Sequence, residues 1–109
     1  MQKRVDECKR TGEMITGEED AKVYRVSGDS KDLLGENMSM LLWPDRLEFI
    51  APGGKLVFPI EKISQMAVAH TAFLYFSCMG HYYEVRNAHV WPANKYFALH
   101  RMIRGMEYV

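Results

Sequence analysis

The sequence predicts a mainly β domain closed by one C-terminal helix. Three observations carry the prediction. From about Met38 to Arg86 the apolar residues recur with a period near two. Short turns rich in Gly, Pro, Asp and Ser interrupt that stretch. After Trp91 the apolar period changes to about 3.6, and that pattern runs once. Hairpin strands followed by a single amphipathic helix fit few architectures, and most of these bind other molecules rather than transform them.

Residues 1–20 read as a charged linker or tail, in which Lys3, Arg4, Lys9 and Arg10 meet Asp6, Glu7, Glu13, Glu18, Glu19 and Asp20. Val5 and Cys8 share one face of a short helix ended by Gly12. That stripe is too thin to make a core element, and such stretches often join a module to something upstream. The domain is therefore placed at residues 21–109.

Residues 21–26 read as a strand through Val23, Tyr24 and Val26, and Ser27-Gly28-Asp29-Ser30 as a turn. Residues 38–43 form an apolar run suited to a buried strand. Pro44 sets the fixed φ of a tight turn, after which Leu47 and Phe49 alternate inward. Ala51-Pro52-Gly53-Gly54 suits a type II turn, which needs a positive φ at Gly53. In residues 55–60, Leu56, Phe58 and Ile60 share a face, and Pro59 marks an edge or a strand end. Strands follow at 65–70, with Met66 and Val68 together, at 72–78, and after a Met79-Gly80 turn at 81–86. In the last of these Tyr83 and Val85 oppose Tyr82, Glu84 and Arg86, giving seven strands in all. The helix spans Pro92 to Arg104. Pro92 suits its first position, and Tyr96, Leu99, Ile103 and Met106 form its stripe. Arg101 and Arg104 sit in its last turn, with Gly105 just past the end.

A chain of 109 residues is one domain, and 48% hydrophobic with 26% charged residues is an ordinary soluble composition. Fourteen basic residues balance fourteen acidic ones. That balance disfavours nucleic-acid binding and electrostatic docking on an anionic membrane. Cys8 and Cys78 are expected as reduced thiols in a cytoplasmic setting. Residues 1–10 have no apolar signal-peptide core, and the longest apolar run, 72–76, is far short of the ~18 residues of a membrane span. Membrane contact is then peripheral or through a partner.

Chemistry is sparse. Cys78-Met79-Gly80-His81 has ligand-like spacing but supplies only half of a tetrahedral site, so no metal or cofactor is expected. No Gly-x-Ser-x-Gly elbow occurs and no Asp follows Asp45, so no catalytic residue is assigned. The candidate partner-binding residues are of three kinds. Met66 and Val68 lie on a strand that could accept another. Lys95, Arg101 and Arg104 could form a basic patch on the helix for lipid head groups or an acidic partner. Trp43 and Trp91, each beside a turn or helix start, could serve as anchors.

The string Leu41-Leu42-Trp43-Pro44-Asp45-Arg46-Leu47-Glu48-Phe49 and the connector Ile60-Glu61-Lys62-Ile63 resemble bacterial PH or GRAM-type domains. Gly80-His81-Tyr82-Tyr83-Glu84-Val85 with the following helix is similar to the PH-like appendage of some Firmicute 1-acylglycerol-3-phosphate acyltransferases. The resemblance implies a PH-like barrel of about seven antiparallel strands in two roughly orthogonal sheets, capped by the C-terminal helix. It implies a non-catalytic module, bound to a partner protein or its own upstream domain, associated with a phospholipid-synthesis acyltransferase. The His-x4-Asp motif of that enzyme family is absent, because Tyr75, Arg86, Asn94 and Gly105 stand five residues after the four histidines. The stretch 27–37, matching the first hairpin loop, sets Lys31 against Asp29, Asp32 and Glu36, so phosphoinositide recognition is not implied. Two other functions fit the same fold: a lipid or small-molecule binder using the barrel interior, and a self-association domain forming a homodimer.

Overall fold

A computed structural model describes residues 2–70 and 72–105. It contains α1 (Gln2–Thr11), β1 (Thr16–Ser27), β2 (Ser30–Leu42), β3 (Arg46–Ala51), β4 (Gly54–Pro59), a single 3₁₀ turn (Ile60–Lys62), β5 (Ile63–Ala69), β6 (Phe73–Cys78), β7 (His81–Asn87) and α2 (Ala93–Arg104). The strands form one antiparallel sheet in the order β4-β3-β2-β1-β7-β6-β5. In hydrogen-bonding terms this is one continuous sheet, not two, and it is open, with β4 and β5 as its edges. No described helix is long and apolar enough to cross a membrane.

The open sheet nevertheless curls back on itself. Phe58 of edge strand β4 packs edge-on against Phe76 of β6 at 5.0 Å and Tyr83 of β7 at 4.7 Å between ring centroids. Phe49 adds a third edge contact to Phe58 at 5.9 Å. Strands four and five places apart in the sheet thus meet through their side chains. Strand β1 permits the bend. It pairs with β2 over its length and with β7 from Ala21, and its register slips three times between Glu18 and Tyr24. Such irregularities increase local twist, and Asp20, at φ 60°, sits inside this stretch.

Turn chemistry sets the two ends of the sheet. Two-residue turns join β1 to β2 at Gly28-Asp29, β3 to β4 at Pro52-Gly53, and β6 to β7 at Met79-Gly80, all at one end. Met79 and Gly80 both take positive φ, as a primed hairpin turn requires. The expected type II turn at Pro52-Gly53 is not formed, because Gly53 does not take a positive φ. The chain enters β1 from α1 and leaves β7 toward α2 at the opposite end, while the last turn of α2 reaches the start of β5, where Arg104 donates to the Ile63 carbonyl.

All seven predicted strands form, though β2 begins at Ser30 rather than near residue 38. The helix starts at Ala93, with Pro92 in a non-helical conformation (ψ 70°) at the cap position. Gly105 closes it in the left-handed region at φ 70°. Met106, expected on the helix stripe, lies outside the described residues.

The reading of residues 1–20 as a tail, with a domain boundary at 21, needs correction. Residues 2–11 form α1, and β1 already starts at Thr16. Val5 belongs to the same buried cluster as Met40, Phe49, Phe76 and Leu99, and both Val5 and Cys8 are fully buried. The stripe is thin, but α1 lies against α2, and both of its apolar residues are buried there. The charged residues of α1 point away from the core, and Glu18, Glu19 and Asp20 already belong to β1.

A Val5→Ala variant is therefore expected to lose about 1.5–3 kcal/mol of unfolding free energy. A tail residue would change it by less than about 0.5 kcal/mol. Urea denaturation followed by circular dichroism distinguishes the two.

Candidate functional site

A groove beside a free strand edge runs between β5 and α2. Among the described residues strand β5 pairs only with β6, and its other side carries no strand. Met66 and Val68 stand opposite Phe76 and Leu74, and lie half-buried against the core. Across from them, α2 presents Asn94 and Phe97. Together with Ala67 these residues line a groove of about 370 Å³. Phe97 is displaced round the helix from the buried Tyr96, Leu99 and Ile103, and Asn94, Phe97 and Arg101 share that second face by their spacing of three and four. The Arg101 guanidinium lies 5.7 Å from the Phe97 ring centroid.

The other predicted site residues are drawn into the fold. Arg104 donates to the carbonyls of Ile60 (3.1 Å) and Ile63 (2.8 Å), so it fixes the 3₁₀ turn and the start of β5. Lys95 donates to Thr16 Oγ1 and Glu18 Oε1, both at 2.9 Å, anchoring α2 to β1. Trp91 is buried; its indole N–H donates to the Ala72 carbonyl at 2.7 Å and its ring lies 5.7 Å from that of Tyr96. Trp43 is half-buried, donates to Glu48 at 2.8 Å, and carries the Arg46 guanidinium 4.4 Å above its ring. The structure thus brings Met66, Val68 and the Arg101 face together. It separates from them Trp43, Trp91, Lys95 and Arg104, each of which holds an element in place.

Two glutamates that the alternation marks as outward-facing are buried. Glu48 accepts from Trp43 Nε1, Arg46 Nε at 3.2 Å and Lys55 Nζ at 3.0 Å. Glu84, with no exposed surface, accepts from Lys31 Nζ at 2.8 Å and Arg86 Nε at 2.6 Å, and from the Tyr75 hydroxyl. Burial alone would raise both carboxyl pKa values, but these hydrogen bonds outweigh it and hold both below the ordinary range. The signal in the sequence was a cation two residues away on the same strand face, Arg46-x-Glu48 and Glu84-x-Arg86. Phe97 and Asn94 were missed for a related reason: an aromatic residue off the core stripe of a helix points to a second face.

Both thiols are shielded. Cys8 and Cys78 are free and buried, and burial pushes the Cys78 thiol up. His81, paired across the turn with Cys78, is exposed, and among the described residues no three His, Cys, Asp or Glu side chains gather in a way that could hold a metal ion. His100 is buried on α2; burial, with Arg104 nearby, pushes its pKa down. No family model matches the chain, and no curated protein matches it.

These shifts give the stability a defined pH dependence. His100 is depressed, so the unfolded chain takes up its proton first, and stability falls as pH drops below about 6.5. Glu48 and Glu84 are also depressed, so their contribution is full above about 4.5 and is lost as pH falls through their folded values. Melting temperature is expected to decline in these two stages. Glu84→Gln should blunt the lower one and cost roughly 1–3 kcal/mol at neutral pH, while His100→Gln should flatten the upper one. Calorimetry across the pH range checks both.

Proposed function

We propose that this chain is a non-catalytic PH-like binding module that accepts an extended peptide as an added strand on β5. The observation that carries the reading is the β5 edge standing open beside the Met66, Val68 and Phe97 groove. An edge strand offers unpaired backbone N–H and C=O groups in register, and a neighbouring apolar groove takes alternate side chains of the incoming strand. Backbone pairing supplies affinity, and the groove supplies selectivity. The sheet order, the curl that brings β4 over β6 and β7, and the C-terminal helix all support a PH-like reading. The sequence resemblance makes a phospholipid-synthesis acyltransferase the enzyme with which we propose the module is associated.

The interior is the weaker place for a ligand, since Phe49, Phe58, Phe76 and Tyr83 interlock there. Self-association is a separate outcome, favoured by the second edge at β4, where Val57 is 44% exposed. Sedimentation velocity over a wide concentration range separates a dimer from a monomer that binds peptides.

Peptides selected from a displayed random library against the full chain are expected to shift backbone amide resonances along residues 64–69 and at Asn94 and Phe97. Val68→Glu and Phe97→Ala should each weaken such a peptide by about tenfold or more, roughly 1.4 kcal/mol, with the fold retained. Shifts confined to β2 and β3, or binding unchanged by both variants, would sink the proposal.

A further inference from the structure

The outer face of the sheet carries a second concavity, which meets the β5 groove only at Ala67. Cross-strand register builds it row by row. One row runs Lys31, Val26, Tyr82, Ser77, Gln65 across β2, β1, β7, β6 and β5, and the next runs Leu33, Tyr24, Glu84, Tyr75, Ala67. Val26, Ala67, Tyr75 and Tyr82 wall a pocket of about 450 Å³, with Lys31 and Glu84 at its polar side. That volume and the mix of apolar walls with a few convergent polar groups are typical of sites for small molecules, about 300–1,000 Å³.

The charges define what fits. One carboxylate, Glu84, faces two cations, Lys31 and Arg86, leaving a surplus of one positive charge. Arg86 is fixed, since its guanidinium lies 5.3 Å from the Tyr24 ring centroid and 4.8 Å from that of Phe73. Lys31 is freer. Its side chain is 41% exposed, and its ammonium has three donors, of which the Glu84 bond uses one. Tyr82, 56% exposed, offers a flat ring as the movable wall. A cationic guest would have to meet the surplus positive charge or displace Lys31 from Glu84. An anion meets neither obstacle.

We infer that this face is a second binding site, for a small monoanion with a flat apolar body. Its charged group bonds to the Lys31 ammonium and its body lies against Tyr82, Tyr75 and Ala67. This ligand is of a different kind from the peptide on β5, and the two sites use no residue in common apart from Ala67, which borders both.

Amide resonances of the full chain titrated with benzoate, neutral benzamide and cationic benzylamine test the inference. Benzoate is expected to shift Val26, Lys31, Tyr75 and Tyr82, with benzamide at least about fivefold weaker, near 1 kcal/mol, and benzylamine weaker still. Lys31→Gln should weaken benzoate by a similar factor. Tyr82→Ala, which leaves the Lys31–Glu84 pair intact, should do the same without changing the melting temperature by more than a few degrees, while Phe97→Ala should leave benzoate binding unchanged. Benzylamine binding as well as benzoate, shifts confined to Asn94 and Phe97, benzoate binding by the Lys31→Gln and Tyr82→Ala variants as tight as by the wild type, or no shift up to about 10 mM, a concentration at which even fragment-level affinity registers, would each overturn it.

Discussion

The architecture rests on Phe58 reaching across the interior to Phe76 and Tyr83. Among the described residues, strand β4 has no strand partner on its outer edge, and neither has β5. Without a hydrogen-bonded seam, the curl of the sheet has to be held by what its inner face buries. Edge-to-face aromatic pairs suit that task. They add roughly 0.5–1.5 kcal/mol each beyond the area they bury, and they favour particular ring angles. The bulged start of β1 lets the sheet bend, and the rings decide how far. Helix α2, seated on Tyr96, Leu99 and Ile103, then has a concave surface to cover.

The outer face has its own restraint. Glu48 and Glu84 each gather an aromatic donor and two cations from neighbouring positions. The Glu84 cluster spans β2, β7 and β6, and Lys31 reaches over β1 to join it. A buried carboxylate is tolerated only when its lone pairs are satisfied, so these groups fix side-chain geometry on a face that would otherwise be loosely specified. The same restraint leaves Lys31 with a spare donor beside a tyrosine wall.

Much of the fold was legible because alternation reports which side of a strand is inside. Leu47, Phe49, Phe58, Phe76 and Val85 all lie where the period of two puts them. Two kinds of information were not in the periodicity. The first was the role of α1: two buried residues in ten look negligible until the chain folds and Val5 joins the main core cluster. The second was the use of cations. From sequence, Lys95 and Arg104 are equally suited to a partner, but nearby acceptors on β1 and on the 3₁₀ turn claim them first. Met66 and Val68 kept a place at the groove because a strand edge depends on topology, which the hairpin series largely sets.

The three tight reversals at Gly28-Asp29, Pro52-Gly53 and Met79-Gly80 have an engineering consequence. Connections this short cannot mould themselves around a guest, so evolution of selectivity here would have to act through the walls of the molecule. Conversely, Pro52 and Gly53 line neither proposed site, and a reporter or affinity tag spliced between them would leave both unobstructed.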